Sequence, residues 1–256
     1  MHRLREAVRA SRRGFHGEGP VSGGDPPRPA QEGPPVTGAR TLVVGATGMI
    51  GGLTARMVAG RGASLALAGR DGERLAERSR LLGDCPYRAF DAYDLDGCAA
   101  LAPWAAQALG GLDSVVVAIG VAGFGRAEHV GEAAAEHLMT VNALAPMAVV
   151  RGALPALEAA GAVVVVTGIV VDKPPLETAD YAASKTALAA WLGVVRREQR
   201  KRGIRVVDVR MPHLDGGFAD RAVTGRPPRL PPGADPARAV EEYVLGPLDA
   251  AAARDS

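Results

Sequence analysis

Short continuous apolar runs alternate along this chain with longer stretches of helical spacing. The runs are TLVVGA (41–46), SLALAG (64–69), YRAFDA (87–92), DSVVVAIG (113–120), AVVVVTG (162–168) and RVVDVRM (205–211). Apolar residues follow one another in them instead of alternating with polar ones. That pattern predicts strands buried on both faces, as in a parallel sheet. Between the runs, the spacing predicts helices over 50–61, 71–82, 94–109, 131–158 and 179–201. A last helix is predicted over 235–254, with Asp235 as N-cap and Pro236 at the first helical position. Strand, helix, strand, repeated five times, predicts right-handed crossovers. The expected fold is α/β: a doubly wound, Rossmann-type parallel sheet flanked by helices.

The first 39 residues break the pattern. Met1–Ala10 is compatible with a short helix, but residues 11–38 are dense in glycine and proline and carry no apolar period. Residues 1–39 are therefore expected to form a disordered Pro/Gly/Arg-rich tail, and 40–256 a single domain. A net charge of +2 over 256 residues argues for neither nucleic acid nor an acidic membrane surface as partner. Cys85 and Cys98 show no CxxC or zinc spacing, so no metal is expected and both read as small apolar residues in a reducing compartment. No apolar run approaches the roughly 18 residues of a membrane span, and the basic start lacks an apolar signal core. A cytoplasmic location, without membrane attachment, is the plain expectation.

The first strand runs into Gly45-Ala46-Thr47-Gly48-Met49-Ile50-Gly51-Gly52 and then a helix. Glycines at a strand-to-helix turn let the backbone approach a pyrophosphate, which sits at the positive helix N-terminus. The spacing is GxxGxxG and not the GxGxxG of the broader dinucleotide fingerprint, and glycine turns also occur for steric reasons alone. The βαβ context favours the binding reading. The second strand ends in Gly69-Arg70-Asp71. An acidic residue here would bond the ribose 2′-OH of NAD, whereas an arginine accommodates the 2′-phosphate of NADP. Arg70 comes first and Asp71 reads as the N-cap of the next helix. NADP(H) is accordingly favoured over NAD(H), against a surface arginine with no ligand.

Early in the long fifth helix stands Tyr181-Ala182-Ala183-Ser184-Lys185. The i, i+4 spacing puts the phenol and the ammonium on one helical face. A nearby cation favours phenolate and is expected to lower the tyrosine pKa, making Tyr181 a general acid/base for a carbonyl/alcohol pair. The bland alternative is a surface tyrosine near a solvated lysine.

Taken together, the glycine turn, Asp91 after the third strand, Val141-Asn142 in the fourth crossover and Tyr181-x-x-x-Lys185 resemble the short-chain dehydrogenase/reductase family in order and spacing, over about residues 40–215. The resemblance implies NAD(P)(H), hydride transfer, and a homodimer or homotetramer paired through the helices at 131–158 and 179–201. It implies that Tyr181 exchanges the proton, that Lys185 binds the nicotinamide ribose, and that Asn142 holds a relay water. Asp91 would meet the adenine, and Gly120 and Pro212 would border the nicotinamide.

Three departures stand beside the matches. Where the family usually has a substrate-binding serine, this chain has Gly168; the adjacent Thr167 either supplies a hydroxyl through a one-residue shift or caps the strand end. The fourth strand ends Val117-Ala118-Ile119-Gly120, keeping only the glycine of the family's Asn-Asn-Ala-Gly. After the sixth strand the chain reads Pro212-His213-Leu214-Asp215-Gly216-Gly217, without the family's threonine, and Arg221–Pro232 is expected to be an irregular loop beside the site. Hydride transfer to or from a small-molecule carbonyl or alcohol is the leading expectation. A weak or inactive nicotinamide-binding sensor or scaffold, and an epimerase or dehydratase with tightly held cofactor, stay open.

Overall fold

The computed structural model describes residues 38–229 and 231–252. The tail expected over residues 1–39 therefore lies, but for its last two positions, outside the described residues, as do positions 253 and 254 of the last predicted helix.

Each apolar run forms a strand: β1 (Arg40–Val44), β2 (Ser64–Gly69), β3 (Tyr87–Ala89), β4 (Ser114–Val117), β5 (Ala162–Val166) and β6 (Arg205–Val209). They make one parallel sheet in the order β3-β2-β1-β4-β5-β6. β4 and β5 are buried along their whole length, which explains the unbroken valines: both faces are covered. Alternate residues serve opposite layers. Leu42 and Val44 pack with Leu101, Ala105, Val149, Leu188 and Leu192, while Val43 packs with Ala55, Val58, Leu75, Val240 and Leu245. The order reverses between β1 and β4, so a crevice opens at their carboxyl ends, where doubly wound sheets bind ligands.

The helices are α1 (Met49–Gly60), α2 (Gly72–Leu81), α3 (Leu95–Ala99), α4 (Leu101–Leu109), α5 (Glu132–Met139), α6 (Ala145–Ala156), α7 (Ala179–Glu198), α8 (Pro236–Val240) and α9 (Gly246–Ala252). Three predicted single helices are interrupted, and a proline accounts for each interruption. The helix expected over 94–109 breaks at Ala100 because Pro103 has no N–H to give the Ala99 carbonyl. In the helix expected over 131–158, Pro146 cannot donate to the Asn142 carbonyl, and Thr140–Leu144 forms a π turn in which Ala145 N–H donates to Thr140. Pro247 likewise denies a donor to Tyr243, beside the second π turn at Glu241–Leu245. The continuous stretch Glu132–Ala156 is long and apolar enough to cross a bilayer by length and composition. Its α6 part nevertheless lies largely in the core, with Ala148, Val149, Val150 and Ala153 buried.

After β6 the chain has no further strand among the described residues, but it is not loose. Leu214 bridges Ala234, Gly233 N–H donates to the Asp215 carboxylate at 2.8 Å, and Asp235 caps α8 at 2.8 Å. Midway, Val223 N–H donates to Ala122 at 2.8 Å and Phe124 N–H to Thr224 at 2.9 Å. The irregular loop is thereby joined at its ends and stitched to the segment that follows β4.

Candidate active site

β1 delivers Gly45 to the point where the sheet order reverses. Gly45 has φ +91°, and a Cβ there would lie 2.5 Å from the Ala118 carbonyl oxygen. A Cβ on Gly51 would collide with the Gly45 carbonyl oxygen. These two glycines therefore allow turn, helix and β4 to approach one another. Gly48 precedes α1 without any side-chain cap, and the first-turn N–H groups of Met49, Ile50 and Gly51 meet no acceptor within the helix. Donors of that kind at a positive helix end suit an anionic pyrophosphate.

Arg70 is exposed just past β2, and Asp71 is the N-cap of α2, accepting from Arg74 N–H at 3.1 Å, as expected. Sequence reasoning missed two neighbours. The Arg74 guanidinium donates to the Thr47 carbonyl at 3.1 Å, and that of Arg78 to the Gly52 carbonyl at 3.3 Å. The signal was Arg74 and Arg78, four residues apart on one face of one helix, turning it basic beside the glycines. Asp91 is exposed and accepts from Tyr93 N–H at 3.0 Å, which shapes the loop after β3.

On the other side of the crevice, α7 presents Tyr181 and Lys185. Lys185 is 3% exposed, and its Nζ donates to the Val166 carbonyl at 3.3 Å. A Cβ on Gly120 would lie 2.8 Å from Lys185 Nζ and 3.1 Å from Asn142 Oδ1, which explains why the glycine persists in the altered fourth-strand motif. Asn142 is fully buried. Its Oδ1 accepts from Val121 N–H at 2.8 Å, while its Nδ2 donates to Val121 O and Ser184 Oγ, each at 3.0 Å. Ser184 Oγ in turn donates to the Tyr181 carbonyl at 2.7 Å. The Asn142 side chain is thus committed to fastening the β4 loop to α7. Its main-chain carbonyl is the one that Pro146 deprives of its usual helical donor.

Burial dominates the electrostatics here. It pushes Lys185 down to about 8, with the Asp208 carboxylate opposing the shift. It also pushes Tyr181 up to about 12. This reverses the expected direction for Tyr181. Desolvation penalises the phenolate, and Lys185 turns its ammonium to the Val166 carbonyl.

Thr167 is 1% exposed. Its hydroxyl donates to the Asp208 carboxylate and accepts from the Arg210 guanidinium at 2.8 Å, so its proton is committed to β6. Gly168 adopts φ +104°, ψ 158°, a region open essentially to glycine alone. Space is not the obstacle to a side chain at this position, since the nearest atom to a Cβ is the Met211 carbonyl oxygen at 3.8 Å. Restoring the family's serine as Gly168→Ser is expected to destabilise the fold by about 1–3 kcal/mol, read as a lower urea midpoint at unchanged m-value.

Pro212 begins the loop over the crevice. A Cβ on Gly216 would collide with Met49 Sδ, so the loop touches the first residue of α1. The stitch at Ala122 and Phe124 carries it past the end of β4. Cys85 and Cys98 are both free and buried, and burial pushes the Cys98 thiol up to about 11. Among the described residues no cluster of metal-binding side chains occurs.

The fold recurs in an alcohol dehydrogenase from the archaeon Thermococcus sibiricus, solved with 5-hydroxy-NADP (TM-score 0.71, 23% identity, covering 78% of this chain and 86% of that one). It recurs also in a dehydrogenase/reductase of Sinorhizobium meliloti 1021 (TM-score 0.70, 24% identity, 83% and 88% covered). A protein assigned as a short-chain oxidoreductase from Thermus thermophilus is 31% identical, with TM-score 0.69 and coverage of 82% of this chain and 95% of that one. A curated relative, dehydrogenase/reductase SDR family member 7B of Danio rerio, is 27% identical over 196 residues; the match takes in 72% of this chain and 63% of the relative. The family model for short chain dehydrogenases matches residues 39–223. With that match spanning most of the chain, and with the sheet order and glycine turn described above, the protein belongs to the short-chain dehydrogenase family.

Proposed function

We propose that this chain is an NADP(H)-preferring oxidoreductase acting on the carbonyl or alcohol group of a small molecule. One observation carries the reading. The end of β4 backs both halves of the site, with Ala118 against Gly45 and Gly120, two residues on, against Lys185. The glycine turn and the Tyr181–Lys185 face therefore border one crevice. Gly45, Thr47, Gly48, Met49, Ile50 and Gly51 line the pyrophosphate position, Arg70 takes the 2′-phosphate, and Asp91 meets the adenine. Gly120 and Pro212 flank the nicotinamide. When bound, the nicotinamide supplies or accepts the hydride. Tyr181 gives a proton to the carbonyl oxygen or takes one from the alcohol, Lys185 holds the nicotinamide ribose, and Asn142 fixes the loop between them. Reactants held in this geometry would gain most of their acceleration from orientation. Leu144 at the π turn and Val194 on α7 are 40% and 44% exposed; a second copy of the chain covers them in the homodimer or homotetramer we expect. The two buried free cysteines fit a reducing, cytoplasmic compartment.

The test is a parallel titration with NADPH and NADH, following nicotinamide emission. NADPH should bind more tightly. Arg70→Ala should weaken NADPH by about tenfold to a hundredfold, the worth of a charge-assisted phosphate contact, and leave NADH unchanged. Tighter NADH would transfer the ribose to Asp71. No binding of either by folded protein free of retained cofactor would end the oxidoreductase reading.

A further inference from the structure

Behind Lys185, on the side away from the glycine turn, lies a charged group that the proposed chemistry does not use. In β6, Asp208 pairs with Val165 of β5, one residue before Val166, whose carbonyl accepts Lys185 Nζ. Strand alternation places Asp208 on the same sheet face as Val206, which packs in one cluster with Leu188 and Leu192 of α7. Asp208 thus looks toward the helix that carries Lys185. Its side chain is only 8% exposed, and the Arg210 guanidinium lies 2.7 Å from it. Arg210 in turn reaches Asp172 at 3.2 Å, and the Thr167 hydroxyl bonds the Asp208 carboxylate. A strand interior buried against a helix would ordinarily hold an apolar residue at position 208. A carboxylate there is costly to bury unless it is paired and hydrogen-bonded.

We propose that Asp208 is a positioning residue for Lys185: from the neighbouring strand its carboxylate keeps the buried ammonium charged and in place, and Arg210 sets how strongly it does so.

The groups facing Lys185 are few. Gly120 and the Asn142 amide oxygen approach from the β4 side, and neither is ionisable. The Val166 carbonyl of β5 supplies a neutral acceptor. Tyr181 shares its helix. Asp208 is the charged group that favours the ammonium, and its influence opposes a burial that would otherwise strip the proton. Arg210 counteracts part of that influence, because its own charge sits beside the carboxylate. The two substitutions should therefore act in opposite directions, which a merely structural role would not produce. The importance of a charged Lys185 rests on the oxidoreductase reading; the charge itself can be read without any cofactor.

The chain has three lysines, Lys173, Lys185 and Lys201, so NMR of protein carrying 13C-labelled lysine gives few signals, and loss of one in Lys185→Met assigns it. The wild-type Lys185 signal should titrate near 8. Asp208→Asn should lower that midpoint by about one pH unit, and Arg210→Gln should raise it. Midpoints within error of wild type in both folded variants would overturn the proposal, as would a wild-type midpoint at the ordinary lysine value. Should Asp208→Asn not fold, Arg210→Gln decides alone: an upward move supports the proposal and an unmoved midpoint overturns it. Failure of NADPH to bind wild-type protein would defeat the oxidoreductase reading and leave this titration intact.

Discussion

Replacing Tyr181 with phenylalanine is expected to lower kcat by about 10²- to 10⁴-fold, the usual worth of a positioned proton donor, while NADPH affinity stays within a factor of about two. The hydroxyl is the only atom removed. The contact that Ser184 makes with residue 181 goes to the main-chain carbonyl, so the Asn142–Ser184 arrangement persists in the variant. The direction of reaction should be visible in the pH profile. With Tyr181 pushed up to about 12, the phenol is loaded for carbonyl reduction throughout the neutral range. Alcohol oxidation needs a proton acceptor and should accelerate as pH rises. Reduction should weaken as pH rises past about 8, where Lys185 loses its charge. Steady-state kinetics over a carbonyl panel with NADPH checks this. Unchanged turnover in the phenylalanine variant would remove Tyr181 from the chemistry, and cofactor binding without turnover in wild type would favour the sensor or scaffold.

Lys185→Met is expected to stabilise the protein, and the gain should depend on pH. Burial holds the lysine at about 8 against an ordinary 10.5, a difference worth about 3 kcal/mol. Below pH 8 both folded and unfolded chains carry the proton, and the folded one bears the full cost of a buried ammonium. Between about 8 and 10.5 the unfolded chain stays protonated while the folded one does not, so wild-type stability rises with pH. The methionine variant lacks this term, and its advantage shrinks over the same window. Tyr181 acts in the opposite sense only at higher pH, because its raised value makes stability fall above its ordinary 10. The buried thiols Cys85 and Cys98, also pushed up, act in that opposite sense from about pH 9 in wild type and variant alike. The difference between the two proteins in urea denaturation between about pH 6.5 and 9.5 therefore isolates the lysine. A constant difference across that range would show that Lys185 is not buried as an ammonium. A variant gaining stability at neutral pH and losing activity would mark the lysine as retained for function.

Most of the scaffold was legible in the sequence, because continuous valine runs and intervening helical spacing leave few alternatives to a parallel sheet. The glycine turn was legible for the same reason: Gly45 and Gly51 occupy positions where a side chain meets backbone. The π turns were not, since periodicity barely changes when one residue is inserted. Pro146 and Pro247 were the available signal, each removing the donor its helix needed. Tyr181 was misread electrostatically because spacing reports a neighbouring charge but not the desolvation around it. Thr167 could not be assigned from sequence, because its partners Asp208 and Arg210 lie on β6 and just past its end, about forty residues away. Those two residues were themselves visible as charges interrupting the run RVVDVRM, and they were absorbed into a strand assignment that was otherwise right.

The loop after β6 sets out from and returns to the same spot, Leu214 lying beside Ala234. Extending a loop whose ends are already joined costs little, since closure entropy grows only with the logarithm of its length. The intervening stretch is thus an exchangeable cassette. Insertions within it are expected to leave the sheet and the helix beyond in place, provided something still fastens its middle to the segment after β4. Only the start of the cassette, where Gly216 meets Met49, bears on the glycine turn.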